Sequence, residues 1–373
     1  MLMIILGAGA SFDAVSDDNL QSGWRPPTTD GLFGLPFRGI LERFTAAQGP
    51  AEEILAQSRR AKGSGSKAGL LEAELVRLRD LAPTDRTKYR DLAALRLYIQ
   101  EVMKLCSEDW LIRQAGVTNH SWLVGQLEEW RSVNRGRRTA YVTFNYDTIL
   151  DQALAGRFGW NPRDAGGLDG YLRDTHFALL KLHGSYDWVQ RTNLNARNWN
   201  LMIEARHDLI QLAGTYEIQE EFRLMGPYSA KVPDRLTANL DDVSGEHDGV
   251  KYIWAPAIAL PMSDKTTFVC PQDHQDLLDE LVPLTTGVLA IGWRAAEKHF
   301  LQRLTGLMPG VPVWIVSPNS AAEAGMRMKQ AGIQAEIVPI ASTFSGFREA
   351  GSLHSFLGST LAEVPTGAPH VAG

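Results

Sequence analysis

The last third of the chain constrains its fold most. Three short apolar runs, Gly287-Val288-Leu289-Ala290-Ile291, Val313-Trp314-Ile315-Val316 and Ala335-Glu336-Ile337-Val338, alternate with helical segments that start at Ala295 and Ser320. Strands that are apolar on both faces and separated by helices belong to a parallel sheet covered on both sides. The same pattern recurs earlier. Residues 2–6 run through a glycine turn into a helix near Ala10, while Thr139–Phe144 and Phe177–Leu182 form two more buried strands that end in polar residues. The fold class expected is α/β, a doubly wound Rossmann-like parallel sheet with a helical insertion. Its ligand crevice is expected at the carboxyl ends of the strands.

Residues 1–37 and 137–360 are expected to form this α/β domain. Between them, residues 38–136 carry apolar side chains at helical spacing, among them Ile54, Leu71, Leu75, Leu78, Leu95, Ile99 and Val102, and predict a helical insertion. Within it, Ala61-Lys62-Gly63-Ser64-Gly65-Ser66-Lys67 has a linker composition and reads as a hinge. Residues 190–250 are polar and without period, and are expected as an irregular insertion within the α/β domain.

Composition narrows the function classes. The formal charge of −6 provides no basic field, so no direct nucleic-acid binding is expected. The only cysteines, Cys106 and Cys270, form no Cys-x-x-Cys pair, which fits a reducing compartment and excludes both a disulfide framework and a Cys₄ zinc site. The apolar N-terminus lacks a basic flank and stops at Gly7, so it reads as a strand. No run reaches the ~18 apolar residues of a membrane span. A cytoplasmic protein that does not engage membrane is expected.

Three motifs stand at strand ends. Gly7-Ala8-Gly9-Ala10-Ser11 follows a strand and opens a helix, a setting suited to a pyrophosphate. Phe12 occupies the third glycine position of the dinucleotide fingerprint, which weakens a hydride-transfer reading, while Ser11 adds a hydroxyl that can bond phosphate. Asn145-Tyr146-Asp147 and His183-Gly184-Ser185 close the next two strands. Singly, such motifs are more often a helix cap and a structural histidine. In this order, together with Ile291-Gly292 and Ser317-Pro318-Asn319, they resemble the sirtuin-like (SIR2-type) NAD-binding domain over most of the chain.

The resemblance implies that Gly7, Ala8, Gly9 and Ser11 hold phosphates and that Asn145 holds ribose or positions water. It implies that Asp147 faces the nicotinamide amide, that His183 acts as base, that Gly184 beside it contacts the bound NAD⁺, and that Gly292 and Asn319 lie at the adenosine ribose. Two departures sharpen it. The cysteines cannot build the zinc module of the deacylases, and Phe144 stands where those enzymes have Gln. The pattern is more similar to the SIR2-like NAD⁺ hydrolase family of bacterial anti-phage defence systems. That implies NAD⁺ as substrate, no zinc or other metal, and control through a homo-oligomer or a partner, either a hexameric translocase-type ATPase or an Argonaute-like sensor. A protein deacylase or ADP-ribosyltransferase, and a non-catalytic NAD- or ADP-ribose-binding scaffold, are the alternatives. Trp24 in the Pro-rich loop is a candidate lid, Arg25 a candidate phosphate or carboxylate contact, and Trp188 and Trp293 candidate pocket walls.

Overall fold

The computed structural model describes the chain except for residues 16–24, 61–68, 111–113, 135–137, 195–199, 201–209, 211–212, 214–216, 226–245, 248, 263–266 and 361–373. The expected hinge at 61–67 and the candidate lid Trp24 lie outside the described residues.

Six strands form one parallel sheet: β1 (Leu2–Leu6), β2 (Thr139–Thr143), β3 (Phe177–Lys181), β8 (Gly287–Ile291), β9 (Pro312–Val316) and β10 (Glu336–Ile340). Across the sheet they run β10-β9-β8-β1-β2-β3. Counted along the chain, this is the doubly wound order 3-2-1-4-5-6. The direction of winding reverses between β1 and β8, where every residue from Leu2 to Leu6 is fully buried. Helices on both faces leave no solvated side, so the central strands must be apolar throughout. Edge strand β10 is partly exposed and carries Pro339, which cannot donate to a further strand.

Helices α1 (Ala8–Phe12), α2 (Arg38–Leu41), α3 (Thr45–Arg60), α4 (Leu70–Leu81) and α5 (Thr87–Leu105) follow β1. The buried apolar residues of α2 to α5 form a second core, which they share with Tyr186, Leu194, Ala255 and Ile258. Those four belong to an antiparallel sheet of order β5-β4-β7-β6, built from β4 (Gly184–Leu194), β5 (Glu217–Leu224), β6 (Glu246–His247) and β7 (Val250–Ile258). Gln100 of α5 donates to Tyr186 O across this join (2.7 Å). Residues 190–250 are therefore not simply irregular: their described part supplies strands to a sheet. The range 38–136 also divides, because α6 (Asn119–Val133) packs Leu123, Val124 and Leu127 into the core of the parallel sheet. There it lies with α7 (Ile149–Phe158).

Helices α8 (Gln272–Leu281), α9 (Lys298–Leu304), α10 (Ala321–Gln330), α11 (Phe344–Glu349) and α12 (Ser352–Ser359) complete the cover. Trp188 is fully buried, edge-on to Tyr171 (5.4 Å) and His274 (5.5 Å), so it belongs to the core. No helix among the described residues is long and apolar enough to cross a membrane.

Two buried histidines tie stability to pH. His120 stands edge-on to Phe344, His274 edge-on to Trp188, and burial pushes both imidazoles down to about 4. The unfolded chain, with imidazoles near the ordinary ~6.5, takes up protons first as pH falls. The contribution of each is thus complete above ~6.5 and lost on the way down to 4. Between pH 7 and pH 4 each histidine should withdraw about 3 kcal/mol. Urea unfolding of wild type and His274→Phe at the two pH values isolates the His274 share, and the decline in the variant should be smaller by about 3 kcal/mol. An equal decline in the variant would count against this account.

Candidate functional site

A cavity of about 1610 Å³ opens at the carboxyl ends of β1, β2, β8 and β9, over the point where the winding reverses. Small-molecule pockets usually hold ~300–1,000 Å³, so this one has room for an extended ligand. Gly7, Ala8, Gly9, Ser11, Asn145, Asp147, His183, Gly292 and Asn319 all line it. Gly184 does not. With φ +77° it makes the bend from β3 into β4, and a Cβ there would stand 2.0 Å from Ala257 O.

The glycine turn is shaped by backbone contact. A Cβ on Gly7 would meet Gly292 O at 2.5 Å, one on Gly9 would meet Gly292 Cα at 2.8 Å, and one on Gly292 would meet Ala10 N at 2.2 Å. Only three glycines allow the β1–α1 turn and the β8–α9 loop to approach so closely. The Gly7 and Gly9 amides donate to Ile291 O (3.0 Å) and Gly292 O (3.2 Å). The turn thus offers a phosphate less than the sequence pattern implies: its donors are the Ser11 hydroxyl and Ala8, whose amide at the helix start has no intrahelical acceptor.

Asn145 joins this turn to β2. Its Nδ2 donates to Gly7 O (3.0 Å) and to Ser11 Oγ (2.8 Å). Gly7 O can only accept, which fixes the orientation of the carboxamide. Both amide hydrogens are engaged, so what Asn145 offers the cavity is the acceptor Oδ1. Gly7 O, which also accepts from Ala10 N (2.8 Å), has both lone pairs occupied. The Ser11 hydroxyl hydrogen is left for a further acceptor. Asp147 Oδ1 accepts from Ile149 N (3.1 Å) and so opens α7, as a cap does, while still lining the cavity.

His183 sits where the two sheets meet. Leu182 N donates to Thr143 O (3.0 Å) and Ala259 N to His183 O (3.0 Å), which pins the backbone on both sides. The buried imidazole lies edge-on to Phe144 (4.9 Å), itself stacked on Trp293 (6.0 Å, 8° between planes). Phe144 and Trp293 form an apolar wall beside His183. The sequence marks Trp293 as a candidate wall and does not reveal its pairing with Phe144.

Apart from Arg25, the charged rim carries no signal in the sequence. Arg294 pairs with Glu72 of α4, 222 residues away in the chain, and its carbonyl accepts from Arg327 Nη1 (2.8 Å). Arg327 also pairs with Glu323 (2.6 Å). Burial holds the Asp30 carboxyl above its usual range, against the pull of Arg294. Arg25 stacks its guanidinium on Phe12, 3.8 Å from the ring centroid. The side chain that displaces the third glycine thus becomes a platform for a cation at the cavity edge. At the far end, Ser317 and Ser320 share a hydroxyl hydrogen bond (2.7 Å) beside Asn319. Among the described residues no cluster of three or more His, Cys, Asp or Glu could hold a metal ion.

No protein-family model matches the sequence, and no curated protein does. Among solved structures the chain is similar to a mutant Sir2 homologue in complex with ADP-ribose, at 12% identity over 96% of this chain and 91% of that one, TM-score 0.38. It is similar to a Sir2 homologue in complex with NAD at 11% identity, 96% and 90% coverage, TM-score 0.38. A Sir2 enzyme structure follows at 15% identity, 95% and 93% coverage, TM-score 0.36. The fold assignment stands on strand order and register, independently of these likenesses.

Proposed function

We propose that the chain is an NAD⁺ glycohydrolase that cleaves the nicotinamide–ribose bond. The observation that carries the proposal is the pairing, on one side of one cavity, of the fixed acceptor Asn145 Oδ1 with the His183 imidazole, next to the Ser11 hydroxyl. Ser11 and Ala8 would bond the pyrophosphate. The adenosine half would lie toward Gly292 and Asn319, which leaves the nicotinamide ribose at Asn145 and His183. Nicotinamide leaves as a neutral molecule with the electron pair of its bond to the ribose, so the reaction needs little acid and passes through an oxocarbenium-like sugar. Asn145 Oδ1 would accept from a ribose hydroxyl or from the attacking water. The water oxygen bonds the anomeric carbon, and His183 takes its proton. Two isolated cysteines, which cannot build a four-thiolate module, support hydrolysis over zinc-module deacylation. Together with the sequence resemblance, the proposal extends to NAD⁺ depletion in anti-phage defence, controlled by assembly with further copies or a partner protein.

Incubation with NAD⁺, with and without an acyl-lysine peptide, followed by product chromatography tests this. Nicotinamide and ADP-ribose are expected without any acceptor. Release that depends on the peptide would identify a deacylase or transferase, and binding with no release a scaffold.

A further inference from the structure

Lys181, the last residue of β3, is fully buried. Its ammonium donates to the backbone carbonyl of Asp147 (2.8 Å) and to Asp151 Oδ2 (3.0 Å). The second carboxylate oxygen, Asp151 Oδ1, accepts the Tyr171 hydroxyl (3.0 Å). A buried ion pair contributes little net stability, because taking two charges out of water costs about as much as their attraction returns. An apolar pair of similar volume commonly holds a fold as well or better.

What the ion pair supplies is direction. One of its hydrogen bonds grips the peptide carbonyl of Asp147, in the turn that presents Asn145, while the same strand delivers His183 two residues later. Lys181 stands opposite Thr143 in the sheet, and Thr143 Oγ1 accepts from Asn145 N (3.1 Å). The turn is thus held at its start through Thr143 and at its end through Lys181. Lys181 itself does not line the cavity.

We infer that Lys181 is a positioning residue that clamps the Asn145–Asp147 turn to the strand end bearing His183, and so sets the separation of the two groups that act on the bound dinucleotide. The inference rests on the reading of the site as NAD⁺-cleaving. The test is a double variant, Lys181→Met with Asp151→Leu, which removes both charges and leaves none unpaired. It is expected to fold and to melt below the wild-type temperature, because the buried Tyr171 hydroxyl loses its acceptor and the Asp147 carbonyl its donor. Its kcat for NAD⁺ should fall ~10–100-fold, the loss that small misplacements of reacting groups produce. Its KM and its calorimetric Kd for ADP-ribose should move by less than about threefold.

A folded double variant with wild-type kcat overturns the inference. So does one that fails to fold, since the pair would then serve stability, or one whose ADP-ribose affinity falls as far as its kcat. Side-chain carboxamide NMR signals of Asn145 provide a readout independent of activity. They should broaden or split in the double variant, and unchanged signals would overturn the clamp. A wild-type protein that leaves NAD⁺ intact overturns the reading of the site and leaves the NMR outcome to decide the clamp.

Discussion

His183→Ala is expected to lower the turnover of NAD⁺ ~10²–10⁴-fold, the range that general-base assistance supplies. The imidazole packs against Phe144, and backbone hydrogen bonds of Leu182 and His183 pin the strand end on both sides. The variant should therefore stay folded and still bind ADP-ribose. Asn145→Ala should lose turnover to a similar extent and be less stable, because truncation strips Gly7 O and Ser11 Oγ of a donor in a buried place. Gly7 O keeps Ala10 N as a donor, so the unpaired acceptor is Ser11 Oγ, at a cost of ~1–3 kcal/mol. Nicotinamide release, ADP-ribose calorimetry and thermal melting, measured on both variants, separate chemistry from folding. A well-folded His183→Ala protein that consumes NAD⁺ at the wild-type rate would sink the assignment.

Gly292→Ala should be strongly damaging for the addition of a single carbon atom. The new Cβ would lie 2.2 Å from Ala10 N, 2.5 Å from Gly9 C and 2.6 Å from Gly9 Cα, and φ is +64°. None of those atoms is the end of a flexible side chain, so the turn and the loop must separate. The conformational penalty alone is ~1–2 kcal/mol, and the forced separation brings the total to the order of 4 kcal/mol. Gly125 in α6, where an added Cβ would meet nothing within 4 Å, makes the control: Gly125→Ala should be neutral or stabilising by up to ~1 kcal/mol. Denaturant midpoints of the two variants decide the matter. A Gly292→Ala chain as stable as wild type would mean that the two backbones are not in contact.

The parallel sheet is legible in the sequence because its strands are buried on both faces. Leu2–Leu6 and Gly287–Ile291 must be continuous apolar runs, and glycines mark where they end. The antiparallel sheet is not legible. β4 mixes buried and half-exposed positions and changes register between Gln190 and Thr192, so the alternation that signals a strand is broken. Within the site, Asn145, His183 and Gly292 can be found because each stands at the carboxyl end of a strand, where local spacing is informative. The Arg294–Glu72 pair and the Phe144–Trp293 wall unite segments remote in the chain, and no local pattern encodes them. The glycine turn is recognisable as a feature, yet its two glycine amides, those of Gly7 and Gly9, are directed into the protein, which spacing alone does not reveal.

The saturation of Gly7 O by Ala10 N and Asn145 Nδ2 also bears on rate. Rotating the Asn145 carboxamide by half a turn would set two carbonyl oxygens against each other, so its dipole has one orientation open to it whether or not a ligand is present. Water or a mobile side chain must turn as positive charge grows on a sugar, and that reorientation adds to the barrier. A dipole whose direction was settled when the chain folded adds nothing at that moment.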